Sequence, residues 1–389
     1  MSSAPEFDPL SPAMLANPYP IYAELQEKHP VFWHEKMGAW VVTRYEDCRD
    51  ILMDSELFIR DPRRVSEQST EASASLQSID VAKQSELRRL LIGSVHAQDL
   101  EQIGRSVRAS IDRIFEGVAS RPSFDWVFEV AAPLAGTITA ELMGVKEPDP
   151  RVFKAIAESM ARKFDEDLGG DDAETARQIQ ENFEAFGAII DGWLGSADTH
   201  GTIATLRDRA AEMGVPRPVI KNMAGLLFSG SYTTLFGTYG NVAFRLMERP
   251  DVLDQLRDPG LLSTGTDEFV RFDGPTWATG RVATRATEIR DVTIKQGDPV
   301  FVAVAAANRD PAQFPRSQEL VLDRTPNKHL GFGWGPHSCV GSLFAHLALR
   351  ELVHALHDAP APLRMTGTPV PLPVATVRSF LSLPVTFQA

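Results

Sequence analysis

The sequence predicts a mainly α-helical fold with a smaller β-rich region, in one large domain over residues 1–389. Three observations predict it. Helical periodicity dominates from about residue 84 to residue 272, a Val-, Thr- and Ile-rich texture takes over at 281–305, and no internal repeat or low-complexity segment divides the chain.

In chain order, residues 1–60 mix short helical stretches with one strand pair. Val31–His34 and Ala39–Thr43 are apolar runs on either side of the polar Glu35-Lys36-Met37-Gly38 turn, which reads as a hairpin. Residues 61–80 are small and polar and read as a long loop. Helical patterns cover Gln84–Val118, 126–144, 150–164 and 172–194, with an acidic, Gly-rich connection at Asp165–Asp172. A long helix is expected from Val219 to Glu248, with Pro218 in its first turn and Pro250 just past its end. A shorter helical region follows at 251–272, then strands at 281–305. Residues 308–338 carry Pro, Asn, Arg and Gly without a clear period, and irregular stretches of that length are usually functional. A last helix is expected to open at Cys339 and run to about His357, with a closing hairpin at 369–388.

Composition narrows the function classes. Hydrophobic residues make up 43% of 389, enough for a large core, and charged residues 23%. The net charge of −13 argues against a nucleic-acid partner. Two cysteines, Cys48 and Cys339, make no disulfide framework and fit a reducing compartment. The opening MSSAPEFDPLSPAM lacks the basic-then-apolar order of a signal peptide. The densest apolar run, Val300–Ala307, is too short to cross a bilayer. The expectation is a cytoplasmic protein with neither nucleic-acid nor membrane partner.

Chemistry concentrates around Cys339. Glycines at 331, 333 and 335 give a backbone that turns tightly and can approach a flat object, and Cys339 follows before an amphipathic run of Val340, Leu343, Phe344, Leu347, Leu352 and Leu356. A helix N-terminus favours a thiolate, and a thiolate suits a soft or borderline metal. One cysteine cannot build a zinc site, and no CxxC, HExxH or Cys/His cluster supplies further ligands. A single protein ligand suits a metal whose other ligands come from a macrocycle, which points to heme. The bland alternative, a small buried hydrophobe, is the reading given to Cys48. The glycines do not form GxGxxG, because Pro336 and Ser338 stand at the third-glycine positions, and there is no GxSxG.

The spacing of Phe332, Gly335, His337, Cys339 and Gly341 resembles the heme-binding signature of the cytochrome P450 family, specifically its bacterial type. Other elements of that family appear in order over nearly the whole chain. The resemblance implies a P450-like fold and heme b (iron protoporphyrin IX), with Cys339 as the iron's thiolate ligand. It implies that Glu268 and Arg271 form a buried ion network with Arg324 or a neighbour, holding the fold without doing chemistry. Heme propionates need cationic or hydrogen-bonding partners, and Arg88, Arg281 and His337, with Gln84 one turn before Arg88, match those positions.

The long helix carries Ser229-Gly230-Ser231-Tyr232-Thr233-Thr234, and each helical glycine costs about 1 kcal/mol against alanine. The resemblance gives these residues a purpose: Thr233 matches the oxygen-activating threonine, and Gly230 the glycine that lets ligand approach the heme. Tyr232 departs from the pattern, standing where an acid usually relays protons. A phenol, with a reference pKa near 10, carries protons poorly at neutral pH. Two readings stay open: water or substrate groups supply the relay, or the chemistry is atypical, such as oxidative coupling, desaturation or peroxygenation. Thr276, Trp277, Ala278 and Thr279 match a substrate-contact segment, as do Val377–Phe380, the 61–80 loop and the 161–176 connection. For Trp277 and Phe380 the alternative is a core aromatic.

The function implied is a heme-thiolate monooxygenase oxidising a small, largely apolar organic substrate in secondary metabolism or catabolism. O2 is the oxidant, electrons come from a ferredoxin and ferredoxin reductase, and the protein is expected to be a monomer. An acidic ferredoxin calls for a local basic face on the thiolate side. His346 and Ala348 stand where the family more often has Arg and an acid. The reading from another class is a non-catalytic heme-binding protein.

Overall fold

The structure, a computed structural model, describes residues 6–60, 81–147, 149, 152, 156, 159 and 173–388. Prolines and short polar side chains set several helix starts. Ser11 accepts from the Met14 amide ahead of α1 (Pro12–Ala16), and α2 (Tyr19–Lys28) follows. The expected hairpin is β1 (Val31–His34) and β2 (Ala39–Val42), antiparallel, with Gly38 at φ 57° in the turn. Next come α3 (Tyr45–Met53), which buries Cys48, and β3 (Phe58–Ile59). The helix expected over Gln84–Val118 is two, α4 (Val81–His96) and α5 (Leu100–Val118), because Asp99 caps a new start by accepting from the Gln102 amide. β4 (Phe124–Asp125) and a π-helical turn at Val127–Ala131 lead into α6 (Ala132–Met143), which Gly144 closes at φ 70°. Of the helix expected at 150–164, the described residues are Val152, Ile156 and Ser159, all helical.

Helices α7 (Ala173–Gly195) and α8 (Gly201–Glu212) precede the long α9 (Arg217–Glu248). Helix α9 packs against α6, α7, α8 and the π-helical turn. It buries Val219, Met223, Phe228 and Phe236 on different faces, as a helix at the centre of a core must. Then come α10 (Pro250–Gln255) and α11 (Pro259–Asp273), the second capped by Asp258.

The strand-rich stretch holds β5 (Thr279–Ala283), β6 (Thr287–Ile289), β7 (Val292–Ile294) and β8 (Pro299–Val302). The strand reading ends early, for Val304–Ala307 forms a helical turn, α12, buried between α2 and α3. The main sheet runs β1-β2-β8-β5-β3, with β2 parallel to β8 and the other pairs antiparallel. Residues 308–338 are irregular apart from short turns, and α13 (Ser342–Asp358) is the last helix. The closing segment is more than one hairpin. β9 is Arg364–Met365, β10 (Val370–Pro371) pairs with β11 (Phe380–Ser382), and β12 (Pro384–Thr386) pairs with both β4 and β9.

Candidate active site

The loop before Cys339 is shaped by its glycines. Gly333 and Gly335 lie at φ 69° and 67°, a region that favours glycine. A Cβ on Gly335 would stand 3.1 Å from both the Leu52 carbonyl oxygen and Met53 Cα, so the loop lies directly on the end of α3. A Cβ on Gly331 would stand 2.5 Å from Val270 Cγ1 on α11. The Cys339 amide donates to the Phe332 carbonyl at 2.7 Å, closing the loop. The cysteine therefore sits in the loop, and α13 starts only at Ser342 with Gly341 as its N-cap, later than the sequence pattern predicts. The Gly341 amide is the backbone group that favours the Cys339 thiolate, with Arg88 acting in the same direction, while burial pushes the thiol up overall. Cys339 nevertheless presents accessible surface. Taken together, protein stands close around the side chain and leaves one side open, as in a cleft. A metal that ionises a coordinated thiol outright overcomes such a burial cost.

Four cationic or protonatable groups gather at this cleft. Arg88 on α4 donates from Nη2 to the Ser338 carbonyl at 2.5 Å and to Ser338 Oγ at 3.1 Å. Arg281 on β5 is 4% exposed and donates from Nη1 to the Gly280 carbonyl at 2.7 Å and to Thr279 Oγ1 at 3.1 Å. Its buried Nε has no partner among the described residues. Burial, then the Arg60 charge, lowers the Arg281 pKa to about 9. His337 falls to about 3 through burial and through Arg60, Arg281 and Arg88 in that order. Arg60, which the sequence reading did not single out, is itself lowered to about 10 by burial. The charges acting on Arg281 and His337 are all positive, so the site suits an anion, and a propionate pair meets that demand. The side chain of Gln84 and the 61–80 and 161–172 segments lie outside the described residues.

Beneath the loop, the Glu268–Arg271 pair is wholly buried, and every guanidinium donor of Arg271 is placed. Nε and Nη2 hold the two Glu268 oxygens at 2.7 Å each, and carbonyls of Asn308, Ser317 and Glu319 accept at 2.8–2.9 Å. Arg324 Nε adds 3.0 Å to Glu268 Oε2, Asn327 Nδ2 3.1 Å, and the Val321 amide donates to Oε1 at 2.8 Å. The expected link to Arg324 is present.

On α9, Thr233 is 6% exposed and its hydroxyl has no partner among the described residues. Its neighbour differs: Thr234 Oγ1 donates to the Gly230 carbonyl at 2.6 Å, a common habit of helical threonine. Gly230 is exposed, with no atom within 4 Å of where a Cβ would stand. Tyr232 points elsewhere. It is fully buried and stacks between Phe228, 5.4 Å away with planes 9° apart, and Phe236, 6.4 Å and 17°. Its ring is a core residue of the α9 packing face.

The two substrate-contact segments meet. Thr276 bridges Val377, the Trp277 and Ala278 amides donate to the Thr376 carbonyl at 2.8 and 3.2 Å, and the Arg378 amide donates to the Pro275 carbonyl at 2.7 Å. Trp277, 2% exposed, lies in the core beside Phe32, Val41 and Phe301, under the Arg378 guanidinium at 5.1 Å. Phe380, also 2% exposed, packs on Phe244 at 5.3 Å. Both are buried among core residues. Ala278 is buried, and Thr276 and Thr279 are half-buried.

A family profile described as Cytochrome P450 matches residues 261–356. The mycinamicin IV hydroxylase/epoxidase of Micromonospora griseorubida is 31% identical over 354 residues, covering 86% of each chain. The chain belongs to the cytochrome P450 family. The P450 monooxygenase PikC of Streptomyces venezuelae is 28% identical, covering 96% of this P450 and 92% of PikC. The crystal structure of CalO2 superposes with TM-score 0.86 at 26% identity, covering 98% of both chains. This P450 is thus an oxidoreductase of the monooxygenase class, and its cofactor is heme b. The residues present fit that group: a thiol facing a cleft, an orphaned buried arginine Nε, and a helix left open at Gly230. No helix among the described residues is long and apolar enough to cross a membrane.

Proposed function

We propose that Cys339 supplies the thiolate to the heme iron and that Arg88, Arg281, His337 and Arg60 hold the propionates. On this reading residues 1–389 form one domain that acts as a cytoplasmic monomer. It oxidises a small, largely apolar organic substrate with O2, using electrons from a ferredoxin and ferredoxin reductase. The observation that carries the reading is the exposed Cys339 thiol beside Arg88, two residues from His337, on which the positive charges of Arg60, Arg281 and Arg88 all act.

When bound, thiolate-ligated heme supplies the iron chemistry that activates dioxygen. The chain's own residues do the rest. The Gly341 amide and Arg88 stabilise charge on the sulfur, and Arg88 pins the loop through Ser338. Gly230 leaves room for a small ligand, and the Thr233 hydroxyl is free to hold a proton there. The burial of Tyr232 in an aromatic stack supports ordinary monooxygenation over chemistry shaped by a phenol at the site. Relatives include a mycinamicin IV hydroxylase/epoxidase and a linalool 8-monooxygenase, so likeness alone selects no substrate.

The reduced, CO-bound spectrum tests this reading. Wild-type protein should show the red-shifted thiolate band, and Cys339→His should lose it while still binding heme. An unshifted wild-type band would overturn the reading. Spectral titration with a panel of small apolar compounds then identifies the substrate class.

A further inference from the structure

With an aromatic at position 232, protons need another way to the distal side. Helix α9 carries one. Lys221, Gly225, Ser229 and Thr233 recur every four residues, each lying about 40° round the helix from the one before it. The first three line a groove of about 770 Å³ between α7 and α9, open to solvent. Two glycines let α7 and α9 approach closely along the groove. A Cβ at Gly225 would stand 3.3 Å from Ile190 Cδ1, and one at Gly187 would stand 3.3 Å from Lys221 Nζ. At the outer end Lys221 pairs with Asp191 at 2.5 Å, both partly exposed. At the inner end is Ser229, half-buried, whose hydroxyl donates to the Leu226 carbonyl at 3.2 Å. One turn further stands Thr233, its buried hydroxyl without a partner among the described residues. Neighbours at this spacing lie about 5–6 Å apart between Cβ atoms, a gap one water molecule bridges.

We infer that Ser229 relays protons from water in this groove to Thr233, in place of an acid at position 232. The inference rests on the reading of Thr233 given above. The step balances: Ser229 Oγ takes one proton from groove water as it releases its own toward Thr233. Both hydroxyls are restored after each cycle, and electrons come only from the reductant the monooxygenase already uses. Ser229 acts through Thr233 and is a relay residue, not a group that touches substrate.

The test uses holoprotein with a reduced surrogate ferredoxin, following O2 consumption and peroxide release in H2O and D2O. Ser229→Ala should slow O2 consumption by about 10-fold or more and enlarge the solvent isotope effect. Ser229→Thr, which keeps the hydroxyl, should restore most of the rate. Gly225→Val, which fills the groove, should act like Ser229→Ala. Tyr232→Phe should stay within about twofold of wild type, since the proposed route does not use the phenol. The infrared C–O stretch of the reduced carbonyl form reads distal hydrogen bonding without turnover, and its D2O sensitivity should fall in Ser229→Ala. Unchanged rate, isotope effect and C–O stretch in Ser229→Ala and Gly225→Val, with the thiolate band intact, would overturn the relay alone. A wild-type protein lacking the thiolate band would overturn the functional reading and the relay with it.

Discussion

The thiolate side and the distal helix treat polar groups in opposite ways. Beneath the Cys339 loop the Glu268–Arg271 pair is saturated: all the donors of Arg271 are placed, Glu268 accepts from four groups, and the Cys339 amide closes on Phe332. On α9, the buried Thr233 hydroxyl has no partner among the described residues, and Gly230 keeps a gap. A buried polar group without a partner costs about 1–3 kcal/mol, so such a group persists where something outside the fold completes it. The saturated side fixes a geometry, and the unsaturated side waits for chemistry.

The largest test of this contrast is Arg271→Ala. Removing one partner of a fully buried ion pair strands Glu268 and should cost about 3–5 kcal/mol, read as a lower urea midpoint in the apo- and holoprotein alike. Equal midpoints would mean that the network does not hold the loop. Next comes Arg281→Leu. Its Nε is unpaired among the described residues, so the change should disturb apoprotein stability little while weakening heme retention by about 1.5–3 kcal/mol, measured by transfer to apomyoglobin. A large loss of apoprotein stability would instead place Arg281 in the framework.

Tyr232 sharpens the distal half. Tyr232→Phe keeps the stack with Phe228 and Phe236 and should change stability by less than about 1 kcal/mol, with product per NAD(P)H unchanged. Tyr232→Asp, which restores the family's usual acid, should fail to improve coupling and should destabilise. A carboxylate there enters an apolar stack, and burying an unpaired charge is costly. Improved coupling in that variant would return position 232 to the proton path.

How much of this was legible in the sequence follows from range. The Cys339 signature and the Glu268–Arg271 pair are local patterns, and local patterns survive without a structure. The helix start was misplaced by three residues because the Cys339 amide is taken by Phe332, a loop closure that periodicity does not register. Arg60 carries no motif. It is one arginine after a two-residue strand, and only the tertiary fold sets it beside Arg281 and His337. Tyr232 was legible as a departure but not as a packing residue, because its partners matter more than its type. The same holds for Trp277 and Phe380, whose alignment to contact segments hid their burial.

The smallest expected effect lies at the edge of the saturated side. Asp267 Oδ1 lies 2.8 Å from His346 Nε2 and 3.2 Å from His329 Nε2, and both rings pack on Phe332. Burial raises its carboxyl, but the hydrogen bonds from His329 and His346 outweigh that and hold it well below the usual carboxylate range. A depressed folded-state pKa means that the unfolded chain binds the proton first. The stabilisation is therefore whole above the unfolded carboxylate value near pH 4 and is lost as pH falls below it. Asp267→Asn should flatten the acid limb of the stability curve below about pH 4 and leave it unchanged near pH 7 apart from a small offset. The carboxylate is 41% exposed, so solvent screens the contact and the change in slope stays modest. A variant as acid-sensitive as wild type would show that the Asp267 carboxylate does not set that limb, and would leave Phe332 held by ring packing alone.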